Sequence, residues 1–217
     1  MGSHQASKPA GAVALPDERG PLSYAVAAAQ GPVRLHYMPP PERLRLYFGS
    51  LYHFSVTADS YADATRADVP QLRFMLSGNG HYQFQDGAKV ATPTVCLLGP
   101  TMGATRFVLN GPARVLGISL LPAGWRSLCG QDASDLADRL LDFTDVHEGV
   151  FAALLDRLRD MDAADGDAMA DLIWTQLGRI VQPLRKATWE LLAAVDAWLI
   201  GEGSPRIEAL AEDPGLS

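Results

Sequence analysis

The sequence predicts an α+β protein: a barrel or sandwich of short β-strands, then an antiparallel helical pair, then an incomplete helix-turn-helix. Three observations carry this prediction. Apolar residues alternate with polar ones from about Pro32 to Leu120, the period of half-buried strands. From Pro122 onward they recur at helical spacing. The final residues, Arg206-Ile207-Glu208-Ala209-Leu210-Ala211 and then Gly215-Leu216-Ser217, read as a short helix, a turn glycine and a capping serine.

Taken in order, residues 1–21 are rich in Gly, Ala, Ser and Pro without a continuous apolar core, and are expected to be disordered. Val33–Tyr37 and Leu44–Val56 supply the first strands, broken by Pro39-Pro40-Pro41, which belongs in a loop or at an edge. Leu72, Phe74 and Leu76 share one strand face, as do Tyr82 and Phe84. Between these runs, Ser77-Gly78-Asn79-Gly80 is expected to form a hairpin turn, and Asp86-Gly87 a second tight turn. Further strands are expected at Thr94–Leu98, Thr105–Leu109 and Arg114–Ile118, punctuated by Gly99-Pro100 and Asn110-Gly111-Pro112. Turn signals about every ten residues suit a sandwich or barrel.

Beyond the strands, Pro122–Leu128 is expected to form a short helix and Ala133–Leu141 a second. Val150, Phe151, Leu154, Leu155, Leu158 and Met161 line one face of a third; Met169, Leu172, Ile173, Leu177, Ile180 and Val181 line one face of a fourth. Trp174 lies off that stripe, which implies a second contact surface. Leu172, Ile173, Trp174, Leu177 and Ile180 are therefore the candidate dimer contacts, with packing against the barrel or the helix-turn-helix as the equal alternative.

Composition narrows the function. The chain has 217 residues, 47% hydrophobic and 20% charged, with a formal net charge of −7. That is ordinary for a globular protein and lacks the basic excess of a free-standing nucleic-acid binder. From Leu184 to Ser217 three basic residues face six acidic ones, so phosphate contacts would have to come from residues outside this chain. Cys96 and Cys129 sit in no metal or redox spacing. No apolar run reaches the ~20 residues of a membrane span, and a cytoplasmic location is expected.

The ending resembles the first helix-turn-helix of AraC-type transcription regulators, in which an Ile-x-x-Leu-Ala helix is followed by Gly-Leu-Ser and then the recognition helix. The stretch Leu120-Leu121-Pro122-Ala123-Gly124-Trp125 to Leu128-Cys129-Gly130, then Leu136-Ala137-Asp138, is similar to the barrel-exit segment in one subgroup of their sensor domains. The resemblance implies a cupin-like ligand-sensing barrel at 22–121, a helical linker and dimerisation region at 122–183, and the first helices of a truncated DNA-binding domain at 184–217. It implies an unknown small-molecule effector, a homodimer, and DNA binding only through a longer protein, because the recognition helix is missing. No membrane partner and no cofactor are expected, and the chain is expected not to be an enzyme.

Cupin-like barrels also serve as metal enzymes, so an isomerase or dioxygenase is the alternative. The usual His-x-His pair is not there: His81 is followed by Gln83, no Glu follows before Gly87, and no further His appears before His147. A set of His36, His53 and His81 could be assembled only from separate strands; barrel-wall positions are the simpler reading, and no metal is expected. There is no Gly-x-Ser-x-Gly elbow and no phosphate loop. A barrel of this size can enclose one small ligand. Its candidate lining is Tyr47, Phe74, Tyr82, Phe84 and Phe107, with His36, Arg73, His81 and Arg106 as polar anchors. An apolar pocket with one charged anchor would suit an aromatic or fatty acid.

Overall fold

The computed structural model describes residues 27–200. The expectations for residues 1–21 and for the helix-turn-helix residues 206–217 fall outside that range. Nine strands form one sheet: β1 Ala27–Gln30, β2 Val33–Met38, β3 Phe48–Val56, β4 Ser60–Thr65, β5 Gln71–Gln83, β6 Lys89–Ala91, β7 Val95–Leu98, β8 Thr105–Leu120 and β9 Leu140–Asp142. The order is β1-β2-β3-β8-β5-β7-β9, with β4 on β8 and β6 on β5. Every pairing is antiparallel. Four helices follow: α1 Pro122–Leu128, α2 Val150–Asp160, α3 Gly166–Ile180 and α4 Lys186–Ile200.

The spine is the β5–β8 pair, and here the structure corrects two expected turns. Ser77–Gly80 does not reverse the chain, and neither does Asn110–Pro112; each lies inside one long strand. The two segments face each other across the ladder. Pairing slips between Met75 and Ser77, and again between Ser77, opposite Arg114, and Asn79, opposite Asn110. Asn110 Nδ2 donates to Asn79 Oδ1 at 2.7 Å. Glycine and asparagine thus serve a double bulge rather than a hairpin. Gly78 has φ +79°, and a Cβ there would meet Ala113 Cβ and the Asn110 carbonyl oxygen at 2.7 Å. Through this bulge each long strand changes partners. β5 pairs with β7 before it and β6 after it; β8 pairs with β4 before it and β3 after it. The sheet folds over itself and encloses an interior.

The Met75 and Leu76 carbonyls border the bulge, and a helix reaches both. Arg159 Nε donates to Leu76 O at 3.2 Å, and Arg159 Nη2 to Met75 O at 3.0 Å. The end of α2 is thereby tied to the middle of the barrel. Asp86-Gly87 does form the expected turn, with Gly87 N donating to Phe84 O at 3.0 Å and Gly87 at φ +83°. The expected helix at Ala133–Leu141 is a single 3-10 turn, Ser134–Leu136, followed by β9. Asp138 takes φ +53°, which ends helical geometry, and Leu140 and Leu141 pair with Leu98 and Leu97 at the sheet edge.

The largest core lies outside the barrel, between its wall and the helices. Phe48, Leu51, Leu72, Phe74, Leu97, Leu116 and Ile118 from the sheet meet Phe151, Leu154, Leu155 and Leu158 of α2 and Met169, Ile173 and Leu177 of α3. Phe74 packs on Phe151 at 6.2 Å between ring centroids, and Phe48 on Trp174 at 6.1 Å. Of the two surfaces expected for this stripe, a dimer partner or the barrel, these residues meet the barrel. Ile173, Trp174 and Leu177 are buried within the chain's own core, and half-buried Leu172 and Ile180 pack against the same core. The off-stripe tryptophan is explained by the barrel wall. No helix among the described residues is long and apolar enough to cross a membrane.

Candidate functional site

Strand alternation decides what the interior contains. Leu35 and Tyr37 of β2, Tyr52 and Phe54 of β3, Asp63 of β4, Gln71, Arg73, Met75 and Tyr82 of β5, Cys96 of β7, and Phe107, Leu109 and Val115 of β8 point inward. They line a cavity of about 240 Å3. That volume suits one small molecule.

Among the described residues Arg73 is the only cationic one lining this cavity, and it is 7% exposed. Its Nε and Nη2 donate to Gln71 Oε1 at 3.0 and 2.8 Å. The same oxygen accepts from Tyr52 Oη at 2.9 Å, and Gln71 Nε2 donates to Asp68 Oδ2 at 2.6 Å. The guanidinium also lies 5.1 Å from the Tyr82 ring centroid and 5.9 Å from that of Tyr52, within cation–π range. Among the described residues no carboxylate pairs with it. Arginine stays charged inside proteins. A buried charge held by a neutral amide and two rings is only partly compensated, so it has attraction to spare for an anion.

Around this polar floor the walls are apolar. Phe107 packs with Phe54 at 6.4 Å, with Tyr61 at 6.1 Å and with Tyr82 at 6.1 Å between centroids. Burial pushes the Tyr52 hydroxyl up to about 12 against the opposing influence of Arg73, so it serves as a neutral donor. Burial likewise pushes the Cys96 thiol up to about 12, which leaves it protonated and inert.

Of the residues expected to line the pocket, Arg73, Tyr82 and Phe107 do so. Phe84 is buried beside Tyr82 but does not reach the cavity. Phe74 faces the helices. Tyr47 sits in the helix-side core, where its hydroxyl donates to Gln182 O at 2.9 Å and accepts from Leu184 N at 3.1 Å. His36 and His53 alternate with Tyr37, Tyr52 and Phe54 and so face outward, as His81 does beside Tyr82. Arg106 is exposed. Tyr37, Tyr52, Phe54, Asp63, Asp68 and Gln71 were not singled out. The Leu35/Tyr37 and Tyr52/Phe54 alternation marks their shared face, but the sequence alone does not say that this face is the inner one.

The residues do not fit a metal centre. Among the described residues no histidine lines the cavity, and no group of three His, Cys, Asp or Glu side chains has metal-binding geometry. Asp63 already accepts from Tyr61 Oη and Ala64 N, and Asp68 from Val69 N and Gln71 Nε2. A fixed guanidinium at the floor would also repel a cation.

Comparison with known proteins gives a partial likeness. No family model matches the chain, and no curated protein matches it. Among solved structures, a nickel(II) complex of the bacterial pirin YhhW from Escherichia coli is similar at 13% identity and TM-score 0.35, over 45% of this chain and 48% of that one. The chain thus matches about half the length of the pirin. A cupin superfamily protein from Desulfitobacterium hafniense is similar at 21% identity and TM-score 0.33, over 49% of this chain and 94% of that one. Streptomyces PAC13 with uridine is similar at 10% identity and TM-score 0.32, over 45% of this chain and 77% of that one. Among the described residues the chain is a mostly antiparallel sheet with four helices, and its solved-structure neighbours are cupin-like. The expectation that the chain is not an enzyme is corrected here. The similar solved structures include Pac13, a nucleoside dehydratase, so that expectation does not stand.

Proposed function

We propose that the barrel binds a small carboxylate-bearing molecule, and that it does so as the sensing and dimerising part of an AraC-type transcription regulator. The observation that supports the binding reading is Arg73: a buried, permanently charged group without a carboxylate partner among the described residues, at the floor of an aromatic-walled cavity. Gln71 fixes the guanidinium through Nε and Nη2, and among the described residues Nη1 has no hydrogen-bond partner and can meet a ligand carboxylate end-on. Tyr82, Phe107 and Phe54 would enclose its apolar body. The regulator reading rests on the Arg206–Ala211 and Gly215–Ser217 motif and on the exit segment from Leu120.

Transmission would run through β5. Arg73 and Met75 both face the cavity, and the Met75 and Leu76 carbonyls are held by Arg159 of α2. A ligand that shifts this part of β5 thereby biases the docking of α2, and with it the arrangement of a dimer.

Calorimetric titration of aromatic and aliphatic carboxylates against their amides tests the binding reading. Hydrogen bonds to a charged group contribute about 1.5–3 kcal/mol, so acids should bind at least about tenfold tighter than amides. Arg73→Gln should abolish that preference. Equal binding of acid and amide sinks the proposal. Light scattering of the chain with and without a bound acid tests the dimer; a monomer under both conditions removes that part.

A further inference from the structure

The charges around the cavity are of two signs, and they are ordered in depth. Arg73 lies at the floor. Asp63 and Asp68 line the same cavity but are exposed, so they stand at its mouth. Asp63 pairs across the ladder with Phe107 and shares its inward face. Its carboxylate is fixed by Tyr61 Oη at 2.7 Å and by Ala64 N at 2.8 Å. The Tyr61 hydrogen bond holds that carboxyl below the ordinary carboxylate range, so it stays ionised. Asp68 is fixed by Val69 N at 2.8 Å and Gln71 Nε2 at 2.6 Å. Burial raises the Tyr37 hydroxyl above its ordinary value and the Asp68 charge adds to that rise, so Asp68 acts on the cavity as well as on solvent.

A simple carboxylate suits the floor and is repelled at the mouth. A simple amine suits the mouth and is repelled at the floor. The Gln71 amide shows the polarity that satisfies both ends: its oxygen accepts from Arg73, and its nitrogen donates to Asp68. A molecule lying beside it with an acceptor end inward and a donor end outward would copy that arrangement.

We infer that the ligand is an amino-acid-like zwitterion, its carboxylate on Arg73, its ammonium toward Asp68 and Asp63, and its apolar side chain against Phe54 and Phe107. This rests on the binding reading above and adds the second charge. The mouth carboxylates then act as the selectivity element: they weaken plain acids relative to amino acids, whereas Arg73 weakens plain amines.

The test uses matched pairs on the full chain by titration calorimetry: L-phenylalanine against 3-phenylpropionate, and L-leucine against 4-methylpentanoate. Each amino acid should bind at least about tenfold tighter than its acid, about the effect of one charge-assisted contact. In Asp68→Asn, and independently in Asp63→Asn, the gap should narrow because the plain acid gains affinity while the amino acid loses it. Acids binding as tightly as the amino acids, with both weakened in Arg73→Gln, overturn the zwitterion and leave the carboxylate site standing. Amino acids binding no better than their amides, with Arg73→Gln silent, overturn both. No binding by any of the four at millimolar concentration also overturns the zwitterion class.

Discussion

The two faces of β5 are both buried and do opposite work. From Gln71 to Leu76 all six residues are buried, yet Leu72, Phe74 and Leu76 meet the helix-side core, whereas Gln71, Arg73 and Met75 face the cavity. The outward face is apolar and close-packed. The inward face carries a charge and an amide and leaves space beside them. In a simple barrel the apolar side would be expected inside. Here helices cover the outer wall, so that wall becomes the main core and the interior is released for polar groups. Stability and recognition are thus separated across the thickness of one strand.

The largest effect should come from breaking the outer face. Phe74→Ala removes a ring at 0% exposure that packs on Phe151, and should cost about 3–5 kcal/mol in denaturant unfolding. Arg73→Met, one residue away on the other face, should change stability by less than about 1 kcal/mol, because an apolar isostere relieves a buried charge. Its effect should appear in carboxylate binding instead. If Arg73→Met destabilises as much as Phe74→Ala, the two faces are not functionally separate.

A middle-sized effect belongs to the bulge where the strand changes layer. Gly78→Ala places a Cβ at φ +79° against Ala113 and the Asn110 carbonyl, and should cost about 1–3 kcal/mol. An ordinary hairpin turn in solvent would tolerate the change far better, so an unfolding transition that does not move would contradict the double bulge.

The same contrast explains what the sequence made legible. Period-two and helical patterning identified the strand-rich and helical halves, because that patterning follows from burial on one face. It located Tyr82, Phe107 and Arg73 in the cavity, but it also placed Phe74 there, since hydrophobicity does not tell an inner face from a helix-covered outer one. Ser77–Gly80 and Asn110–Pro112 carry the residues of turns, and only their register opposite each other turns them into a bulge. Ala133–Leu141 has helical composition, but its leucines reach the β7 edge and Asp138 leaves the helical region. Trp174 signalled a second contact surface correctly as to need; the surface that meets it is the chain's own barrel wall. Asp63 and Asp68 belong to no motif in the sequence, and only the folding of β4 over β8 brings Asp63 to the cavity.

The smallest expected effect tests the outer face where it is polar. His53 pairs with His36 across β2 and β3, and a Cβ added at Gly166, where α3 begins, would lie 3.8 Å from His36 Nδ1. Among the described residues His53 Nε2 is buried without a hydrogen bond, as are Nε and Nη2 of Arg114. Burial holds the His53 imidazole below its ordinary value of 6.5, with Arg114 and His36 adding to the depression. The unfolded chain therefore takes up a proton at this histidine before the folded one does. That makes its contribution to stability complete above pH 6.5 and reduces it as pH falls below that value. His53→Gln removes the titration. Urea unfolding of both proteins across this range should show the native chain losing stability faster than the variant on acidification. Parallel pH profiles would mean that the imidazole is solvated, and that the outer face is less dry at its polar end than at Phe74.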